Sequence, residues 1–147
     1  MSTNLSGLCD AVATDIVALS LPAHTLWKYV DPPVLRADLG NILAVFPRTS
    51  DYSILSTSSD YDSADSIMVA WYAPVSMEDG GLGSPAVAAS ALGTAQTIAA
   101  RLMTYAVAVP GIVEQNEGTL KSARYGLVGG GLWLAEFTLE VGRWPNA

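Results

Sequence analysis

Two apolar runs, residues 41–47 (Asn-Ile-Leu-Ala-Val-Phe-Pro) and residues 67–74, constrain this chain more than any other feature. Each has the length of a strand, each closes on a proline, and neither alternates polar with apolar. In the second, Ile67, Val69 and Trp71 interleave with Met68, Ala70 and Tyr72. A strand that is apolar on both sides needs cover above and below, so both runs predict strands buried on both faces. Between them lies a stretch rich in Ser, Asp and Tyr. It is too polar to bury and too long for a tight turn, which predicts a projecting acidic loop or extended hairpin at about 48–66.

Helical periodicity frames these strands. Leu5, Leu8, Val12, Ile16 and Leu19 fall three and four apart behind the capping cluster Ser2-Thr3-Asn4, predicting an amphipathic helix over residues 4–19. Residues 25–30 then read as a short strand, closed by Asp31-Pro32-Pro33 because proline removes ladder donors. After a Gly-rich acidic turn at 77–83, Ser84-Pro85 supplies an N-cap with proline at the first helical position. The Ala-rich helix that follows, to about residue 108, carries Val87, Ala91, Ala95, Ile98, Leu102, Tyr105 and Val109 on one stripe. Ala88, Ala89, Gly93, Thr97 and Ala100 are small enough for a sheet or a neighbouring helix to approach closely. Pro110-Gly111 ends this helix, and a polar bend is expected at 114–118.

Two more strands close the chain. Residues 121–128 form the first, Gly129-Gly130-Gly131 turns, and residues 132–141 form the second. In the latter, Trp133, Ala135, Phe137, Leu139 and Val141 alternate with Leu134, Glu136, Thr138 and Glu140, so one face is buried and the other wetter. The order predicts an α+β fold: an antiparallel or mixed sheet of about four to five strands, with one long helix packed across it and an N-terminal helix. At 147 residues, without internal repeats, the chain is expected to form a single domain, 1–147.

Composition bears on partners. Charged residues make up 14% of the chain and apolar ones 50%, with a mean hydropathy of +0.33. That is little charge for a monomer's surface, and the surplus of apolar area points to contacts with other protein subunits. No apolar run is long enough to span a bilayer, since the best candidate, 98–113, is broken by Arg101, Pro110 and Gly111. The start Met1-Ser2-Thr3-Asn4 has no basic segment and predicts no signal peptide. The lone Cys9 sits in an apolar helical pattern and reads as a small core or interface residue.

An isoelectric point near 4.3 argues against direct binding of nucleic acid. The charge is also uneven. Residues 49–100 hold six acids, Asp51, Asp60, Asp62, Asp65, Glu78 and Asp79, and no basic residue, so nearly all of the net −7 lies there.

Catalytic equipment is not legible. With one His and one Cys the usual zinc sets are excluded, and Asp60-Tyr61-Asp62-Ser63-Ala64-Asp65 lacks the central Gly and terminal Glu of a calcium loop. His24 follows a helix exit with no nucleophile turn nearby, and reads as a surface or capping histidine. The triple glycine leads into a strand rather than a helix and is a hairpin turn, not a phosphate loop. Glu136 and Glu140 share a strand face, where an exposed strand edge explains them better than a glycosidase pair. Trp27, Trp71, Trp133 and Phe137, with Trp144, read as core or interface anchors. No catalytic, cofactor or metal site is expected.

Taken together, the N-terminal helix, the segment Leu26-Trp27-Lys28-Tyr29-Val30-Asp31-Pro32-Pro33, the strand Ile42-Leu43-Ala44-Val45-Phe46-Pro47, the acidic loop, the second strand, the long Ala-rich helix and the closing hairpin resemble the tail-terminator (tail-completion) proteins of long-tailed bacteriophages. The likeness rests on element order and length across almost the whole chain. It implies a virion structural protein, a six-membered homo-oligomeric ring that caps the tail tube, halts its polymerisation and offers a docking surface to the head–tail connector. It also implies contact with the tail tube protein, DNA passing through the lumen without specific binding, no cofactor, and a location in the virion tail or neck after assembly in the host cytoplasm. Asp51, Asp60, Asp62 and Asp65 are then candidates for a lumen-lining or docking loop. The alternatives are another neck component, such as a connector or tube subunit, and, from a different class, a small soluble enzyme or ligand-binding domain.

Overall fold

The computed structural model describes residues 5–32, 40–54, 61–74, 85–106, 109–111, 116–128 and 132–143. The cap Ser2-Thr3-Asn4, the turn at 77–83 with Ser84, the triple glycine and Trp144 lie outside the described residues. Helix α1, Leu5–Val17, buries Leu8, Cys9, Val12, Ala13 and Ile16, the spacing that one helical face dictates. The chain leaves the helix through Ser20, in the left-handed region at φ 59°, and enters strand β1, Thr25–Lys28.

Strands β2 (Ile42–Ile54), β3 (Tyr61–Pro74), β4 (Asn116–Val128) and β5 (Leu132–Arg143) complete a five-stranded mixed sheet in the order β1-β2-β3-β5-β4. Only β1 and β2 run parallel; the remaining pairs are antiparallel. Helix α2, Pro85–Met103, packs with α1 across one face of the sheet and tightens into a 3₁₀ turn at Thr104–Ala106. The expected α+β architecture, with a long helix on the sheet and a helix at the N-terminus, is what the chain forms.

Of the two readings of residues 48–66, loop or extended hairpin, the described residues form the extended hairpin. Both arms are paired strand, from Thr49↔Ser66 to Ile54↔Tyr61, and β5 keeps pairing as far as Ser63↔Arg143. A ladder is built from backbone groups, so a polar run next to an apolar strand continues it whenever a neighbour supplies partners. The register slips between Pro47 and Thr49, where proline has no N–H to donate. The expected bend at 114–118 is corrected, since Asn116, Glu117 and Gly118 pair with β5. Gly118 belongs there because a Cβ at that position would lie 2.8 Å from the Cβ of Tyr105.

The core lies between the helices and the sheet. Leu43, Val45, Ile67, Val69, Trp71, Ala135, Phe137, Leu139 and Val141 meet Ala91, Ala95, Ile98, Leu102, Tyr105 and the apolar face of α1. Trp133 and Phe137 thus share a core with Ile98 and Leu102, as the two periodicities require. Val87 is the exception on the helical stripe. It is 39% exposed and lines an open cavity of about 320 Å³ with Pro22, Trp71 and Pro74. The opposite face carries a second buried cluster, Ile42, Ala44, Phe46, Met68, Ala70, Tyr72 and Leu134, so β2 and β3 are covered on both faces.

Glu136 and Glu140 are not on an edge strand. β5 is flanked by β3 and β4, and the two acids instead face basic residues across the β4–β5 pair, Arg124 to Glu136 at 3.7 Å and Lys121 to Glu140 at 3.9 Å.

Candidate assembly surface

Several titratable groups tie elements of the fold together. The Asp15 carboxylate receives the Arg101 guanidinium through Nε and Nη2, both at 2.7 Å, and the Tyr105 hydroxyl at 2.6 Å, tying α1 to the end of α2. The bond from Arg101 holds Asp15 below the usual carboxylate range, while burial and then the same carboxylate push Tyr105 upward. Cys9 is buried, and burial, followed by the charges of Asp10 and Asp65, pushes its thiol up to about 11. Such a thiol stays protonated and inert at neutral pH.

His24 donates from Nδ1 to the carbonyl of Pro22 at 2.8 Å and meets Trp71 edge-on. Among the described residues no group of three His, Cys, Asp or Glu is placed to hold a metal ion, and no helix is long and apolar enough to cross a membrane.

The exposed apolar groups have a pattern. On and just after β1, Leu26, Trp27, Tyr29 and Val30 are 37%, 38%, 43% and 57% exposed, apolar groups gathered at an edge of the sheet. Tyr29 is held in the left-handed region at φ 80°. Its N–H bonds the carbonyl of Val45 at 2.9 Å and its hydroxyl bonds Asp10 at 2.5 Å, which over-determine that conformation. Asp10 also takes Lys28 at 2.7 Å; the bond from Lys28, then that from Tyr29, lowers the carboxyl's pKa.

Helix α2 adds a second exposed face. Ala86, Ala89, Ser90, Leu92, Gly93, Gln96, Thr97 and Ala100 are exposed, and Pro85 to Ala100 contains no charge. Of the small residues expected to admit a sheet or a neighbouring helix, Ala89, Gly93, Thr97 and Ala100 therefore point away from this chain's own sheet, whereas Ala88 packs against the core.

The sequence-predicted residues divide between core and surface. Trp71, Trp133 and Phe137 are buried at 1%, 7% and 0%, and Trp27 alone of the four anchors is exposed. Asp65 is 0% exposed, so it is not part of a projecting acidic loop. It shares the strand face of Ile67, Val69 and Trp71, two residues before Ile67, and the alternation that places those three toward the helices places Asp65 there too. Asp51 and Asp62 lie in paired backbone, opposite Ala64 and Ser53; their side chains, and Asp60 entirely, lie outside the described residues.

Asp10, Leu26, Tyr29 and Val30 were not singled out from the sequence. The proline pair that closes β1 was the available signal, because a four-residue strand ending in prolines is a natural sheet edge.

No protein-family model matches the chain, and no curated protein matches it significantly. Its fold recurs among solved structures. A chain from the virion of a native gene transfer agent (GTA) particle superposes on it with a TM-score of 0.58 at 14% sequence identity, over 98% of this chain and 100% of the other. Because both chains are covered almost end to end, the likeness spans the whole element order and not a sheet alone. At that identity the shared property is the fold.

Proposed function

We propose that this chain is a structural protein of a tailed, phage-like virion: a tail terminator, whose ring caps the tail tube, stops its growth and presents the surface on which the head's connector docks. The observation that carries the reading is the end-to-end fold likeness to a virion chain. It is supported by exposed apolar groups on and just after β1 and an uncharged outer face on α2, surfaces that a chain with 14% charged residues covers best with other subunits. The partners are further copies of itself, the tube protein below and the connector above. No catalysis, cofactor or metal enters this role.

DNA would pass through the ring without specific binding. Six acids and no basic residue across 49–100 suit a wall that repels phosphate, and with Asp65 buried the candidates left from the hairpin are Asp51, Asp60 and Asp62. Replacing these three by Asn is expected to leave particles assembled while impairing DNA delivery. Loss of head–tail joining would instead make them docking residues.

The decisive experiment is removal of the gene followed by electron microscopy of the particles. Tails of uncontrolled length without attached heads are expected. Tails of normal length would overturn the terminator reading, and labelled protein located in the capsid shell would remove it from the neck altogether.

A further inference from the structure

Among the described residues the sheet ends in two unlike strands. β4 carries the devices that keep an edge from indiscriminate pairing: a bulge between Leu120 and Ser122, and the cations Lys121 and Arg124, whose side chains are 52% and 72% exposed. β1 has none of these. Leu26 and Trp27 on it, with Tyr29 and Val30 just after it, are exposed, and its one cation, Lys28, is neutralised by Asp10. Among the described residues the backbone of β1 is half used. Thr25 N–H bonds Asn41 and Tyr29 N–H bonds Val45, both at 2.9 Å, so the two-residue period turns the N–H and C=O of Leu26 and Lys28 toward the open edge.

We propose that in the ring the β1 edge of one copy receives the β4 edge of the next, so that the sheet continues from subunit to subunit. The inference rests on the ring reading given above and names its contact. Three observations select a second copy as the occupant. Direction is the first. β1 runs parallel to β2, and the three antiparallel steps that follow leave β4 opposed to β1, so rotation about a ring axis brings the two together as an antiparallel pair.

Each copy also owns one edge of either kind, as a closed ring of head-to-tail contacts requires. Finally, the charges complement each other. The exposed carboxylate of Asp31 follows β1, and among the described residues Lys121 and Arg124 stand on β4 with long contacts, 3.9 and 3.7 Å, to their own glutamates.

The test uses the full chain at high concentration, by native mass spectrometry and negative-stain imaging. Leu26→Pro removes an N–H aimed at the open edge without touching the β1–β2 ladder, whereas Leu26→Ala keeps it. If the proposal holds, Leu26→Pro raises the concentration needed for ring closure by about tenfold or more while Leu26→Ala still closes rings. Rings of Leu26→Pro at wild-type concentration would overturn this contact and leave the ring reading standing; a wild type that stays monomeric throughout would overturn the ring reading itself. Rings that form normally but no longer join the tube would assign the edge to a different chain and so reject a second copy.

Should Leu26→Pro also melt well below Leu26→Ala, the decision passes to charge reversal. Asp31→Arg and Arg124→Asp should each weaken closure by about tenfold, and the double variant should recover most of it. A double variant no better than either single one rejects the contact.

Discussion

The two faces of the sheet are built on different terms. Toward the helices, β2, β3 and β5, with Leu120 of β4, meet an apolar cluster beside the buried Asp65, and the Asp15–Arg101–Tyr105 bonds lock the covering helices together. The other face changes character across its width. It is apolar on β2 and β3, where burial raises Tyr72 to about 12, and it becomes charged on β5 and β4, where Glu136 and Glu140 oppose Arg124 and Lys121. Partly exposed ion pairs contribute little to stability, whereas a close-packed core loses several kcal/mol with a single side chain. The helix-covered face therefore holds the fold, and the charged half of the other is free to serve contacts.

Mutations that challenge this division rank by size. Phe137→Ala, which empties the centre of the helix-covered core, should cost about 3–5 kcal/mol in a denaturant titration. An unchanged midpoint would place the stability elsewhere. Gly118→Ala should cost about 1–3 kcal/mol, since the new Cβ lies 2.8 Å from the Tyr105 Cβ and neither backbone nor ring stem yields easily. A stable variant would show that β4 can back away from the 3₁₀ turn.

Asp15→Asn should cost about 1–2 kcal/mol at pH 7, discounted because the Arg101 side chain is 37% exposed. Because the folded-state pKa of Asp15 is lowered, chiefly by the bond from Arg101, its contribution is complete above the unfolded carboxylate value of ~4 and fades as the pH falls through the lower folded value. Thermal melts at pH 7 and pH 2.5 should accordingly show the gap between wild type and Asp15→Asn closing in acid. A gap that persists would mean that lost packing rather than lost charge is responsible. Smallest of all, Glu136→Gln and Glu140→Gln should each change stability by less than about 0.5 kcal/mol. A loss matching that of Asp15→Asn would put the two faces on equal terms.

Much of the architecture was legible because period is a strong physical signal. The stripe from Ala91 to Val109 and the alternation from Trp133 to Val141 each assign a face residue by residue, and both faces are buried as the pattern demands. Polarity was the weaker guide. Ser, Asp and Tyr between 48 and 66 left loop and extended hairpin both open, yet a strand needs only backbone partners; the two arms supply them to each other, and β5 adds more from a distance in sequence. Asp65 shows the same limit from the other side: its place in the alternation was visible, but its charge argued against burial. The assembly surface was the least legible part, since Trp27 looks like a core tryptophan until the sheet order is known.

By itself the sequence determined the order and kind of the secondary elements, though not how far β2, β3 and β4 extend, together with the helix-facing core and the concentration of acid in the middle third, because these follow from spacing and composition along the chain. Only the tertiary structure decided the strand order β1-β2-β3-β5-β4, which makes β1 and β4 the edges and moves Glu136 and Glu140 into the interior of the sheet. Strand order is settled by which long-range pairings cover the most apolar surface at once, a competition among distant segments that no local pattern records.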